Sequence, residues 1–185
     1  MAGLAIALYS PQASIYTVTP TSDGFVFSVN LDTVSPYQVT VACATQNGTA
    51  TAGEDYIATS GTLTFAPGQT THLVTVQVVA DDADEIDETF YVNLSNAANA
   101  TIGGNPAEAT IFDDDPLPIA SVSNVTVTEG DSGTMPVVLS VNLTPASGRS
   151  VRFDVATFPG TALQGGVDFE STCVRVLRPA GRDDP

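Results

Sequence analysis

Residues 1–148 contain neither Lys nor Arg, although they hold sixteen of the 21 Asp and Glu of this 185-residue chain. All five Arg fall in 149–185, where five acids balance them. The first four-fifths of the chain is therefore a polyanion, and the formal net charge is −16. Binding to DNA or RNA by counterion release needs cationic side chains against phosphate, so nucleic acid is excluded as a partner. An anionic membrane surface would repel the chain for the same reason. No apolar run approaches the ~20 residues of a membrane-spanning helix, so no direct membrane insertion is expected. The start, MAGLAIALYSPQ, lacks a basic region and has too short an apolar core for a signal peptide; an export signal, if any, is expected outside this chain. Cysteine is scarce too. The spacing of Cys43 and Cys173 marks neither a disulfide framework nor a zinc site, and two separate thiols are expected, with Cys43 in a strand core. The single histidine, His72, opens a strand-like stretch, TTHLVTV, and no G-x-S-x-G elbow is near it. A paired-carboxylate glycosidase would need two acids across a cleft, which a small domain with its acids packed into loops does not offer. The chain is not expected to be an enzyme.

What is present is an internal repeat. Ser28-Val29-Asn30-Leu31 recurs as Ser140-Val141-Asn142-Leu143, Ala44-Thr45 as Ala156-Thr157, and Gly48-Thr49-Ala50 as Gly160-Thr161-Ala162. Asp55-Tyr56 then matches Asp168-Phe169 with one residue inserted. A period above 100 residues is too long for a solenoid and reads as tandem domains. Within the first, Phe25, Phe27, Val29 and Leu31 alternate with polar or smaller residues, as do Val74, Val76 and Val78, and Phe90, Val92 and Leu94. Period-2 alternation marks half-buried strands. Further strands are expected near 14–19, 37–45, 61–66 and 106–112, with turns at Ser22-Asp23-Gly24, Asn47-Gly48, Pro67-Gly68 and Gly103-Gly104-Asn105-Pro106. About seven strands in ~100 residues predict an all-β, immunoglobulin-like antiparallel β-sandwich. One complete domain is expected at 1–115 and a Pro-rich hinge at 116–118. A truncated second copy follows at 119–185, with an atypical Arg-containing tail, CVRVLRPAGRDDP. Half a sandwich leaves open edges and a half-covered core, so this copy is expected to be poorly ordered or to pair with another chain.

The acids are clustered rather than spread. Asp81, Asp82, Asp84, Glu85, Asp87 and Glu88 fill six of eight positions; Asp113, Asp114 and Asp115 are consecutive; Glu54 and Asp55 form a pair. Alternate loops of an antiparallel sandwich gather at one end, so the three groups can meet. Like charges brought together cost several kcal/mol without a cation. Calcium, which takes six to eight oxygens from carboxylates and carbonyls, suits clustered acids on loops; zinc would want His or Cys. A charged face serving solubility, or a salt-loving source, is the competing reading.

These residues resemble a known family. The stretch from GTATAGEDYIATSGTLTF through DDADEIDETFYVNL to the terminal DDD is similar to the Calx-beta motif of sodium/calcium exchangers and bacterial surface and adhesion proteins. The likeness covers about 14–115 and begins again at 119–171. It implies an immunoglobulin-like sandwich with calcium at one tip, near the next domain. Carried over residue by residue, it implies metal ligation by Asp55, Asp81, Asp82, Glu85, Glu88, Asp113, Asp114 and Asp115. The family often adds a Glu from the end of the first strand. That residue is Glu129 in the second copy, but Pro20 stands there in the first, so fewer or weaker calcium ions are expected. The expected partners are calcium and neighbouring Calx-beta repeats or other protein domains. The expected setting is a larger extracellular, cell-surface or membrane-associated protein, with a role in cell communication or adhesion. The alternative is a structural spacer or adhesive repeat without functional calcium.

Overall fold

The alternation of apolar and polar residues is realised as alternating burial. In the computed structural model, which describes residues 10–21, 24–162, 169 and 172–178, Phe25, Phe27, Val29 and Leu31 are buried while Val26, Ser28 and Asn30 are only partly so. Eight strands build the first unit: β1 (Gln12–Thr21), β2 (Gly24–Leu31), β3 (Val39–Asn47), β4 (Ser60–Phe65), β5 (Thr71–Gln77), β6 (Glu88–Ala98), β7 (Thr101–Ile102) and β8 (Ala107–Ile111). They form two four-stranded sheets, ordered β5-β2-β1-β7 and β4-β3-β6-β8. Pairing is antiparallel except between β1 and the two-residue β7. The expected immunoglobulin-like sandwich is thus present; the sequence pattern missed only β7, too short to show a period.

The core is one cluster drawn from both sheets, with Ala13, Ile15, Phe27, Val29 and Val76 from the first and Val39, Val41, Phe65, Phe90, Val92 and Ala109 from the second. Phe90 lies at its aromatic centre. Its ring stacks on Tyr56 at 4.5 Å and 18°, and meets Phe25 and Phe27 edge-on at 5.7 and 6.0 Å. Cys43 is buried in β3 and Cys173 is exposed, both as free thiols. Burial pushes the Cys43 thiol up, against the lowering effect of backbone hydrogen bonds. His72 joins β5 to β4: its Nε2 is 2.7 Å from the Thr64 carbonyl, and its ring meets Phe65 edge-on.

The turns follow their residue chemistry. At Ala66-Pro67-Gly68-Gln69, the Gln69 N–H donates to the Ala66 carbonyl at 2.9 Å and Gly68 has φ +86°. Pro at the second position and a positive-φ Gly at the third are what a type II turn requires. Gly48 serves a different need. A Cβ there would lie 2.4 Å from the Thr89 carbonyl oxygen and 3.0 Å from its carbon, both backbone atoms. Gly48→Ala is therefore expected to destabilise the first unit by about 1–3 kcal/mol, the usual cost of forced overpacking, read from urea unfolding.

The contacts divide the chain into residues 1–80 with 87–112, and residues 81–86 with 113–185. The second unit holds β9 (Ile119–Val122), β10 (Val141–Thr144), β11 (Val151–Ala156) and β12 (Cys173–Arg178), paired as β10-β9 and β11-β12. The Arg-containing tail is not outside the repeat's plan. Val151 faces Arg178 and Ala156 faces Cys173, as Val39 faces Phe65 and Ala44 faces Ser60 in the first unit, so β12 takes the place of β4. Among the described residues of this unit, none has the place of β5, β6 or β8. From residue 113 onward no described residue is buried, and Val138 and Phe158 are 79% and 82% exposed. Asp168 and the Ser22–Asp23 part of the first turn lie outside the described residues.

Candidate functional site

The loop after β3 is built to present Asp55. Gly53, at φ +93°, lets the chain reverse so that its N–H donates to the Tyr56 carbonyl at 2.8 Å. The N–H groups of Glu54 and Asp55 both donate to the Thr51 carbonyl, and Asp55 Oδ2 accepts the Thr51 N–H at 2.6 Å. The loop is tied to the end of β5 through the Ile57 N–H on the Gln77 carbonyl, to the residues just after it through the Val79 N–H on the Asp55 carbonyl, and to the core through Tyr56. Burial pushes the Tyr56 phenol up, a hydrogen bond with Thr45 opposes this, and the Asp55 charge adds to it. The phenol also donates to Asn47 Oδ1 at 2.6 Å.

Glu88 opens β6, two residues before Phe90. Carboxylate oxygens of Asp55 and Glu88 lie within 4.8 Å of each other, both side chains being half-buried. The Tyr56–Phe90 stack thus fixes, from inside the core, the two chain segments that carry this acidic pair.

The other six candidate ligands, Asp81, Asp82, Glu85 and Asp113 to Asp115, belong to the second unit. Asp81 and Asp82 are exposed, and Asp81 Oδ1 accepts the Ala83 N–H at 2.7 Å. The Glu85 N–H donates to Asp113 Oδ1 at 3.1 Å, which joins the 81–86 segment to the start of the Asp triplet. The Asp115 carboxyl is held above its ordinary range by partial desolvation and then by the charges of Asp114, Asp113, Asp81 and Asp82, in that order. Asp81 and Asp82 are therefore electrostatic neighbours of Asp115, although far from it in sequence. Pro20, at the place of the missing Glu, pairs with Phe25 within the β1–β2 ladder.

Of the eight residues singled out in the sequence, the fold brings Asp55 together with Glu88, and sets Asp81, Asp82, Asp113 and Asp114 near Asp115; Glu85 is linked to Asp113 by a hydrogen bond. Asp84, part of the acidic run but not among the expected ligands, has no role assigned from the sequence. It is buried and pairs with Arg149. Apolar Ala83 beside it is buried too, the one local sign that this part of the acidic run turns inward.

Such a frame, an antiparallel sandwich with acidic clusters on the connections after β3, β5 and β8, defines a class of small β modules. The Calx-beta domain family matches residues 12–115 and 118–184, and the chain belongs to this family. Sodium/calcium exchanger 1 of Rattus norvegicus is 38% identical over 149 residues, covering 70% of this chain and 15% of the exchanger, so the chain spans a small part of that relative. The crystal structure of the apo-form Calx CBD1 domain is 30% identical with a TM-score of 0.54, covering 58% of this chain and all of that one. The CBD12 structure from CALX1.2, at 24% identity and a TM-score of 0.53, shares the fold over 91% of this chain and 72% of its own.

Proposed function

We propose that this chain is a calcium-binding Calx-beta module of a membrane-associated protein, with Asp55, Asp81, Asp82, Glu85, Glu88, Asp113, Asp114 and Asp115 supplying carboxylate oxygens. The observation that carries this reading is the gathering of Asp81, Asp82, Asp113 and Asp114 near Asp115, whose carboxyl is raised by partial desolvation and then by their charges. A hard divalent cation relieves such repulsion and accepts this many oxygens. The exchanger relative supports calcium as the ion and a membrane protein as the setting. Among the described residues, no helix is long and apolar enough to cross a membrane. The Asp triplet runs into Pro116-Leu117-Pro118, whose prolines fix φ. We place a domain boundary there, between a repeat ending at 115 and a second beginning at 119. Bound calcium then stiffens the acidic loops and the junction together, a regulatory or mechanical role with neighbouring repeats as partners and no catalytic step.

Isothermal titration of the full chain tests this. Calcium is expected to give a saturable heat that equimolar magnesium does not reproduce, because magnesium demands a tighter octahedral site and dehydrates reluctantly. Identical small heats for both ions would leave the acids as a solubilising surface and the chain as a structural or adhesive spacer.

A further inference from the structure

Asp84 is the one charged residue among the buried described residues, at 3% exposed, and it lies in the most acidic stretch of the chain. Among the described residues, its side-chain partners come from residues 147–149. Asp84 Oδ1 is 3.5 Å from Arg149 Nη1, and Oδ2 accepts the Ser147 hydroxyl at 2.9 Å. The Asp84 carbonyl accepts the Gly148 N–H at 3.0 Å, and Arg149 Nη1 also donates to the Glu85 carbonyl at 3.3 Å. The turn itself is braced by the Arg149 N–H on the Ser147 hydroxyl. A Cβ at Gly148 would come within 2.6 Å of Glu85 Oε1 and 3.0 Å of its Cγ, so the Glu85 side chain would have to shift to admit one.

A carboxylate withdrawn from water is tolerated only when paired and hydrogen-bonded. Here the pairing cation is the first positive side chain after 148 residues without one. We infer that Asp84, Ser147 and Arg149 form a latch that holds the 81–86 segment in place without any metal. Asp84 is then a positioning residue and not a cation ligand, and Arg149 acts as a built-in counter-ion to the acidic loop. The inference rests on the calcium reading only in that the loop so held carries Asp81, Asp82 and Glu85.

Amide hydrogen exchange of the full chain in chelator separates the two ideas, because no calcium is needed. Arg149→Met is expected to speed exchange of the Gly148 and Glu85 amides at least tenfold, with the Phe27 and Val41 amides of the first unit unchanged. Arg149→Lys, which keeps the charge, should recover most of the protection. Exchange within twofold of wild type in Arg149→Met would overturn the latch. Loss of protection throughout the first unit would overturn it equally, by making Arg149 a general determinant of folding. Calcium stoichiometry of Asp84→Asn is expected to match wild type, and the loss of a bound ion would make Asp84 a ligand instead. Should wild type bind no calcium at all, the exchange result still stands or falls by itself.

Discussion

Phe90→Ala is expected to destabilise the first unit by about 3–5 kcal/mol, the range for removing a buried aromatic from a packed core. Phe90 is fully buried in β6 and contacts Phe25, Phe27 and Tyr56. Aromatic pairs contribute about 0.5–1.5 kcal/mol beyond area burial, and here three share one ring. Small residues such as Ala109, opposite Phe90 on β8, offer little that could collapse into the space. The effect reaches the acids. Glu88 is two residues along the same strand, and Asp55 precedes the Tyr56 ring that loses its stacking partner. Urea unfolding gives the stability loss, and calcium titration of the still-folded variant should show weaker binding. Phe90→Leu, which keeps most of the volume, should lose less of both.

Converting Asp113, Asp114 and Asp115 together to Asn is expected to raise the stability of the metal-free chain and to abolish its response to calcium. The two effects have one cause. The folded state crowds like charges around Asp115, and the amides remove three of them with little change of side-chain shape. The sign can be checked by pH. The Asp115 carboxyl is raised in the folded state from an ordinary value of 3.8, first by partial desolvation and then by Asp114, Asp113, Asp81 and Asp82. A raised carboxyl binds its proton more readily folded than unfolded. In chelator its contribution therefore becomes less favourable as pH rises from the ordinary carboxylate value through the raised one. Melting in chelator over this acid range, comparing wild type with Asp115→Asn, should show the variant gaining on wild type as pH rises. In calcium the order should reverse toward neutral pH, since the ion favours the ionised form. Parallel curves for the two proteins would remove Asp115 from the charged cluster.

Much of this was legible in the sequence because it depends on local period. Residues that alternate, such as Phe25 to Leu31 and Phe90 to Leu94, are the ones the sheets bury. The repeat was legible as offsets, and the β3–β4 register recurs in β11–β12. The tail misled because its composition changes while its pairing does not: Arg175 faces outward and bonds Asp154 across the ladder at 2.8 Å. Within the acidic run, composition could not sort the carboxylates. Asp84 and Glu85 are adjacent, yet one is buried against Arg149 and the other half-exposed, a difference set by residues more than 60 positions away. The nearness of Asp55 to Glu88 has the same origin, since only the folded sheets bring the β3–β4 loop to the start of β6.

The melting temperature of the full chain in chelator, in millimolar calcium and in millimolar magnesium tests calcium binding most directly. A ligand present at a hundred times its dissociation constant adds about 2.7 kcal/mol, on the order of 10 °C for a domain of this size. The account predicts a rise of that order with calcium, little with magnesium, and none in Asp81→Ala or Asp113→Ala. Equal rises with magnesium or plain salt, or no rise at all, would contradict it.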